Sequence, residues 1–162
     1  MHPNAQNVAQ ALASAGAQGQ VRELADSART AADAAAALGC EIAAIANSLI
    51  FMATTTSKPG QPVLILTSGG HKVDTGYVAT LLGVDKLSRA KPEQVRAATG
   101  QPIGGVAPVG HPEPVRTLVD VALQPFEVVW AAAGTPHTVF PTTYEELLRI
   151  TGGEPIAVAP EG

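Results

Sequence analysis

The sequence predicts an α+β fold in which helices flank a mixed β-sheet. Short apolar runs typical of buried strands are interspersed with capped helical segments, without the strict alternation of a doubly wound sheet. Hydrophobic residues make up 46% of the chain and charged residues 15%, which indicates a buried core rather than a disordered chain. The 162 residues contain no repeat and no linker, so we expect a single domain over residues 1–162.

The helices are predicted from capping residues and glycines at their ends. Thr30, followed three residues later by Asp33, is a capping-box start, and Gly39 suits the left-handed residue that closes this alanine-rich helix. Pro92 fits the first turn of another helix. The expected helices span residues 4–15, 30–38, 74–82, 92–98 and 143–152, the last of them also beginning with a capping box.

Apolar runs bounded by turn residues predict the strands. Leu49–Met52 and Val63–Leu66 flank the polar segment Thr54–Gly60, and we expect them to form a hairpin of buried strands. Further strands are expected at residues 20–24, 118–121, 128–132 and 156–158.

Cysteine use and hydropathy point to a cytoplasmic protein. The single cysteine, Cys40, excludes an intramolecular disulfide and a cysteine-rich metal site. The sequence does not begin with a signal-peptide pattern, and no apolar run approaches the roughly 20 residues that a membrane span needs. We therefore expect no membrane partner.

The charge is distributed unevenly along the chain. The formal net charge is −4, which by itself disfavours a nucleic-acid partner. Residues 58–96, however, contain six Lys or Arg and three Asp or Glu, a net +3 that leaves −7 for the remainder. Such a basic segment can bind phosphate on an acidic protein, and it can equally be a solvated face.

Three glycine-containing segments are candidates for a site. The first places Ser68, His71 and Lys72 just after an apolar strand, where hydroxyls, amides and a cation suit a phosphate or a ribose. The spacing is not that of a P-loop, which argues against a nucleoside triphosphatase. An ordinary turn fits the same segment.

The second segment, Thr99–Gly110, contains Gly104 and Gly105, which allow the backbone to approach a ligand or another strand closely. The third, Gly134–His137, follows a predicted strand, and its amides could stabilise a carbonyl oxygen that becomes negative in a transition state. His137 could act as a base or as a hydrogen-bond donor, and a purely structural histidine fits that position as well.

Several hydrolase classes are disfavoured by what the sequence lacks. The four histidines have no metal-binding spacing, and there is no GxSxG elbow, so neither a zinc hydrolase nor an α/β-type serine hydrolase is indicated. Cys40 fits a buried core thiol better than a nucleophile. We expect neither a metal nor a cofactor.

Taken together, four segments resemble the YbaK/prolyl-tRNA-synthetase-associated editing family. They occur in the family's order and at its intervals, with the resemblance strongest over residues 27–152, and they are Arg29–Glu41, Ile45–Phe51, Gly104–Gly110 and Gly134–His137. The resemblance implies a largely antiparallel sheet or partial barrel flanked by helices.

The resemblance also implies a reaction. The expected protein acts in trans on mischarged tRNA and hydrolyses the ester between a small amino acid and the terminal adenosine. The partners would be the acceptor end of the tRNA and an aminoacyl-tRNA synthetase. In the family, water attacks the ester carbonyl with help from the ribose hydroxyl and without a metal.

Site residues are carried over by position. Backbone amides of the turn from Gly134 through Thr135 to Pro136 would stabilise the oxyanion, with Pro136 itself having no N–H to donate, and His137 would shape the pocket or orient the water. Gly104 and Gly105 would form the opposite wall. The remaining expected contacts with substrate are Ser48, Ser68, His71 and Lys72.

Asn47 stands where the family typically has a lysine, directly before Ser48 and Leu49. A neutral amide forms hydrogen bonds but brings no positive charge. Three outcomes stay open: Asn47 positions the substrate, Lys72 supplies the charge, or the site is catalytically weak. In the last case the protein would be a module that binds tRNA or an aminoacyl-nucleotide. A small-molecule hydrolase unrelated to tRNA is disfavoured, because no nucleophile–base or metal signature is present.

Overall fold

The computed structural model describes residues 1–58 and 60–160 of the chain. Five helices and eight strands alternate irregularly along it. In chain order they are α1 Pro3–Ser14, β1 Arg22–Glu23, α2 Ala31–Leu38, β2 Ile45–Thr54, β3 Gln61–Ser68, α3 Thr75–Leu82, β4 Lys86–Arg89, α4 Pro92–Thr99, β5 Arg116–Asp120, β6 Val129–Ala132, β7 Thr138–Thr142, α5 Tyr144–Thr151 and β8 Glu154–Ile156. Short 3-10 helices lie between α2 and β2, at Ile42–Ala44, and between β5 and β6, at Val121–Leu123.

All eight strands belong to one sheet. Its order is β1-β7-β6-β2-β3-β5-β8, and β4 pairs with β2 as an additional neighbour. The pairs β1–β7, β2–β3, β2–β4 and β6–β7 are antiparallel, whereas β2–β6, β3–β5 and β5–β8 are parallel. The path ends at β1 and β8, so the sheet is not a closed barrel. The predicted mixed α+β sheet with flanking helices is confirmed.

The β2–β3 hairpin is the centre of the sheet. Its register runs from Ala46 opposite Ser68 to Ala53 opposite Gln61. Residues 63–68 are buried without interruption because both faces of β3 are covered, as the continuous apolar run predicted. Pro59, in the predicted turn, lies outside the described residues.

Aliphatic side chains build most of the core on both faces of the sheet. On one face, Val8 and Leu12 of α1 and Leu147 of α5 pack with Leu64 and Phe140 of the sheet. On the other face, α3 packs against β2, β3 and β5. A third cluster joins α2 to the first residue of β2.

The predicted helix ends are observed in most cases. The Thr30 hydroxyl accepts a hydrogen bond from Asp33 N at 3.1 Å, and Gly39 closes α2 with a φ of 69°. At α5 only half of the predicted capping box forms. Thr143 accepts from Glu146 N, but the Glu146 carboxylate accepts from Thr142 Oγ1 and Gln18 N instead of turning back.

Two strands occur where the sequence predicted none. β4 is short and mostly polar, and β7 contains Pro141, so neither has an apolar run; both form by pairing with a neighbouring strand. The last strand lies two residues before its predicted position. Within the described residues, no helix has the length and apolarity to cross a membrane.

Candidate active site

A cavity lies where β2 leaves part of one edge unpaired. β3 pairs with β2 from Ala46 to Ala53, but on the opposite edge β6 pairs only with Ile45 and Ala46, and β4 only with Phe51–Thr54. Residues 47–50 lie between these two pairings and line a cavity of about 230 Å³.

Segments distant in the sequence enclose this space, which we call the Asn47 cavity. Its other walls come from the start of α2, from the end of β4 with α4, and from the glycine loop, defined as residues 100–110. Ile50, Val95 and Val106 are buried there, whereas Arg29 and Arg89 are exposed. The cavity therefore combines an apolar interior with charged groups that solvent reaches.

Ser48 brings an unsatisfied polar atom to the cavity. Its Oγ is buried and, among the described residues, has no hydrogen-bond partner. Burying an unpaired hydroxyl costs free energy, and such a group in a folded protein needs an explanation. The oxygen is covered in the free protein, so a ligand in the cavity would become its partner only if the atoms over it move.

Asn47 also lines the cavity, and among the described residues its side-chain amide forms no hydrogen bond. Asn47 therefore offers one acceptor and two donor protons to a ligand. Of the site residues predicted from the sequence, the structure brings Asn47, Ser48 and Gly104 to this one cavity.

Buried side chains hold the glycine loop in shape. Gln101 is 2% exposed, and its Oε1 accepts from Ala107 N at 2.7 Å. The oxygen of Ala107 is held by His111, whose Nε2 lies 2.8 Å away. From α1, Asn7 donates to Gly110 O at 3.0 Å. Side chains thus hold both the amide nitrogen and the carbonyl oxygen of Ala107.

The surroundings of His111 favour its neutral form. Burial lowers its pKa below the ordinary value of 6.5, and the hydrogen bond with Ala107 O, which acts in the opposite direction, is the smaller effect. Because Ala107 O can only accept, the arrangement requires the tautomer with its proton on Nε2.

The two glycines of the loop face different neighbours. Gly104 has a φ of 84°, and a Cβ built on it would lie 3.2 Å from Arg29. A Cβ on Gly105 would lie 2.6 Å from the carbonyl carbon of Thr135. The glycine loop is therefore in direct contact with the Gly134–His137 turn, with no space for a ligand between Gly105 and Thr135.

The Gly134–His137 turn uses most of its own polar groups. The amide of His137 donates to Thr135 Oγ1, and the oxygen of His137 accepts from Leu24 N. Pro136 has no amide proton, and its oxygen accepts from Ala28 N. Gly134 is packed against the start of α1, where an added Cβ would lie 2.9 Å from Asn4 O.

The exposed face of this turn opens into a second cavity, of about 500 Å³, which we call the His137 cavity. It is lined by Thr135, Pro136 and His137 on one side and by Pro102 and Arg96 on another. The structure thus places the glycine loop between the two cavities, with Gly104 at the first and Pro102 at the second.

Ser68, His71 and Lys72 lie elsewhere. Ser68 Oγ donates to Ala43 O at 2.7 Å, and His71 Nδ1 lies 3.2 Å from the carboxylate of Asp120. His71, Lys72 and the 1%-exposed Asp120 line a third cavity, beyond β3. The structure does not bring these three predicted contacts to the Asn47 cavity.

Sequence reasoning missed several residues of the site. Arg29 and Arg89 line the Asn47 cavity from two sides, and Gln101 and His111 support the glycine loop. Arg29 was visible only as part of a helix motif, and Arg89 as one charge in a basic segment. No local pattern marked Gln101, whose role depends on a partner six residues away.

Cys40 lies outside these cavities. It packs against the α2 cluster, and burial raises the pKa of its thiol, which disfavours the nucleophilic thiolate. Among the described residues, no group of three or more His, Cys, Asp or Glu is arranged to hold a metal ion.

Comparison with known structures identifies similar folds. A crystal structure of a candidate trans-editing enzyme for prolyl tRNA synthetase is 40% identical, covers 99% of both chains and has a TM-score of 0.89. The hypothetical protein APE2540 is 25% identical, with a TM-score of 0.85 over 95% of this chain and 99% of that one.

The sequence relatives include a protein of similar length and a much longer ligase. The uncharacterized protein YwhH of Bacillus subtilis (strain 168) is 31% identical over 130 residues, 80% of either chain. The proline–tRNA ligase of Limosilactobacillus fermentum is 34% identical over 97 residues, which are 60% of this chain but 17% of the ligase. The model of the aminoacyl-tRNA editing domain matches residues 25–150, so the chain belongs to the aminoacyl-tRNA editing domain family.

Proposed function

We propose that this protein is a trans-acting deacylase that hydrolyses the ester of a small amino acid on mischarged tRNA. It would act as a single editing-type domain in the cytoplasm, without a metal or cofactor. The observation that carries the proposal is the Asn47 cavity, in which the buried Ser48 Oγ and the Asn47 amide lack protein partners. The family assignment supplies the substrate class.

The size of the Asn47 cavity supports a small substrate group. About 230 Å³ is less than the roughly 300–1,000 Å³ of sites that enclose drug-sized ligands. An alanyl, seryl or threonyl group with part of a ribose fits this volume, and the adenine base would remain outside.

The reaction needs only water and groups of the chain and substrate. A water oxygen forms a bond to the ester carbonyl carbon and gives up one proton, while the carbonyl oxygen becomes negative. When the intermediate collapses, the bond to the ribose oxygen breaks, this oxygen takes a proton, and the amino acid leaves. The neighbouring ribose hydroxyl assists proton transfer, as the family resemblance implies.

Donors near the cavity are suited to stabilise the oxyanion. Within the described residues, the amides of Gly104 and Val106 form no hydrogen bond, and the Ser48 hydroxyl is unpaired. Preorganised donors of this kind lower the barrier because they do not have to reorient during the reaction. In this proposal they take the oxyanion role that the resemblance assigns to Gly134–Pro136, because that turn faces the His137 cavity on the other side of the glycine loop.

His137 and the other predicted contacts keep roles outside the Asn47 cavity in this proposal. His137, Thr135 and Pro136 would contact substrate in the neighbouring His137 cavity. His71 and Lys72 would contact tRNA only at a distance from the scissile ester, and Ser68, which is buried and bonded to Ala43 O, would not contact it. The relatives that are proline–tRNA ligases make tRNA for proline the first candidate substrate and prolyl-tRNA synthetase the candidate partner.

The second candidate function is a binding module without significant hydrolysis, and the neutral Asn47 favours it. Asn47→Lys separates the two functions. A large gain in turnover from a baseline near zero would support the binding module, whereas a change of less than a few-fold from an active wild type supports the deacylase.

The experiment that tests the proposal is a deacylation panel. Purified protein is incubated with tRNA for proline charged with Ala, Ser, Thr or Cys, and the remaining ester is measured against buffer. Gly134→Val is a poor test of catalysis, because Gly134 contacts α1 and substitution would disturb the fold. Ser48→Ala is the better variant. No turnover above buffer on any of the four substrates would contradict the proposal.

A further inference from the structure

Two cations flank the Asn47 cavity. Arg29 lies before α2, where its Cα, Cβ and Cγ are each 3.2 Å from a Cβ built on Gly104. Arg89 is the last residue of β4, and its guanidinium carbon lies 5.7 Å from the centroid of the Phe51 ring. Both line the same cavity as Asn47.

Neither arginine is neutralised by a carboxylate. Among the described residues, the ion pairs include Arg116 with Glu154 at 3.4 Å and Arg149 with Glu146 at 3.6 Å, but none that involves Arg29 or Arg89. Arg149 also donates to Ala15 O, so its role is structural. Arg29 and Arg89 therefore keep their charge available for an anion at the cavity.

The rest of the cavity contains hydrogen-bonding groups but no other cation. Its polar members besides the arginines are Thr30, Asn47 and Ser48. Lys72, the other candidate source of charge, lies in a separate cavity with His71 and Asp120. A ligand anion at the Asn47 cavity would thus meet two guanidiniums.

We propose that Arg29 and Arg89 bind the phosphodiester adjacent to the terminal adenosine and so replace the positive charge that Asn47 lacks. The planar guanidinium presents paired N–H donors to two phosphate oxygens, which suits a phosphodiester better than a single ammonium does. This inference rests on the proposed function, since it assumes that the ligand is the 3′ end of a tRNA. Both arginines are substrate-binding residues in this arrangement, not groups that react.

The inference is tested with two hairpin RNAs that end in CCA. In one, the last linkage is a phosphodiester; in the other it is a neutral methylphosphonate. The proteins compared are the wild type, Arg29→Gln, Arg89→Gln, and each arginine variant combined with Asn47→Lys. Arg116→Gln is the matched control, because it removes one exposed charge that is paired with Glu154 away from the cavity.

The expected result is a selective loss. Each arginine variant should bind the phosphodiester RNA about tenfold more weakly, since a hydrogen bond to a charged group contributes that order of affinity. Binding of the methylphosphonate RNA should not change, and Asn47→Lys should restore most of the lost affinity. In deacylation, KM should rise in the arginine variants while kcat changes little. Arg116→Gln should behave like the wild type.

Three results would overturn the inference: equal losses for both RNAs, no loss for either, or no measurable binding of the phosphodiester RNA to the wild type. The outcome is distinguishable from failure of the proposed function. Phosphate-dependent binding that needs the arginines, without any deacylation, retains the inference and rejects the deacylase. Deacylation whose KM does not change when the arginines are replaced rejects the inference and retains the deacylase.

Discussion

At Ser48, the proposed function gives a substrate-binding role to a side chain whose burial is unfavourable in the free protein. Its hydroxyl is buried and unpaired among the described residues. Natural proteins satisfy the large majority of buried polar atoms. Ser48 is therefore the residue where stability and activity should respond in opposite ways to one substitution.

We predict that Ser48→Ala leaves the melting temperature unchanged or raises it, because no hydrogen bond within the protein is lost. Deacylation should fall about tenfold or more if the hydroxyl donates to the substrate in the transition state. Thermal denaturation and kcat/KM on the same preparation provide the two readouts.

Ser68→Ala is the matched control. Ser68 Oγ donates to Ala43 O at 2.7 Å, so its loss leaves a carbonyl unpaired and should destabilise the protein by about 1 kcal/mol. A destabilised Ser48→Ala, or one with full activity, would contradict the role assigned to Ser48.

His111 predicts a pH dependence of stability. Its pKa is lowered in the folded protein by burial, so between that pKa and about 6.5 the unfolded chain binds more protons. Stability should therefore decrease as the pH falls below about 6.5, and this contribution should be fully present only above it.

Urea denaturation from about pH 7.5 to 5.5 measures the effect. His111→Gln should be less stable than the wild type at the higher pH, because it alters the contact with Ala107 O, but its stability should change less with pH. His137→Gln, at an exposed position, is the control and should keep the wild-type slope. An unchanged slope in His111→Gln would exclude this account.

The individual site residues were predictable from sequence to different degrees. Asn47, Ser48 and Gly104 could be assigned to one site because each lies in a segment that resembles the family. Arg29 and Arg89 could not, because they approach the cavity from α2 and from β4, a strand that forms only through its pairing with β2. His71 and Lys72 were expected near the site, but they line another cavity beyond β3, where His71 Nδ1 lies 3.2 Å from the carboxylate of Asp120.

At the scale of elements, the contact between the glycine loop and the Gly134–His137 turn determines the relative position of the two cavities. Gly105 has no strained backbone angle, but a Cβ there would lie within 2.6 Å of Thr135. Glycine is therefore required at this position by close approach of two backbones, not by φ.

We predict that Gly105→Ala destabilises the protein by about 1–3 kcal/mol, because overpacking forces the backbone to shift. It should also impair deacylation beyond the stability loss, since the shifted loop carries Gly104 and Val106. Gly70→Ala is the control: a Cβ there meets Ala43 only at an ordinary 3.6 Å. Equal melting temperatures for the two variants would argue against this tight contact.

The elements themselves follow largely from local patterns. The caps at Thr30 and Asp74 and the glycines at 39, 83 and 100 define helix ends that the structure reproduces. β4 and β7 do not follow from local patterns, because their residues have no apolar period. They become strands only through long-range pairing. Parallel pairings such as β3–β5 are likewise set by tertiary packing, so the strand order could be expected only from the family resemblance.

At the scale of the whole molecule, the proposed function requires an acidic protein to bind a polyanion. The basic residues of β4 and α4 offer a solution, because Arg89 lines the Asn47 cavity and Arg96 lines the His137 cavity. Lys72, in contrast, lies beyond β3. The segment that was +3 in the sequence therefore extends along both candidate cavities.

We predict that tRNA binding weakens steeply with added salt and that Arg96→Gln makes the slope of log K against log salt shallower by about 1. Lys72→Gln should change the slope less, because its cavity lies apart from the other two. Binding titrations at several salt concentrations measure the slopes of the wild type and of both variants. A larger effect of Lys72→Gln would favour the alternative in which Lys72 supplies the charge for the substrate.

The deacylation panel on tRNA for proline is the most direct test of the central claim. The account predicts that the wild type hydrolyses at least one of the Ala, Ser, Thr and Cys esters faster than buffer, and that Ser48→Ala, although folded, loses most of this activity. If the wild type leaves all four esters as stable as buffer does, while Asn47→Lys creates turnover, the protein is a binding module and the deacylase proposal is contradicted.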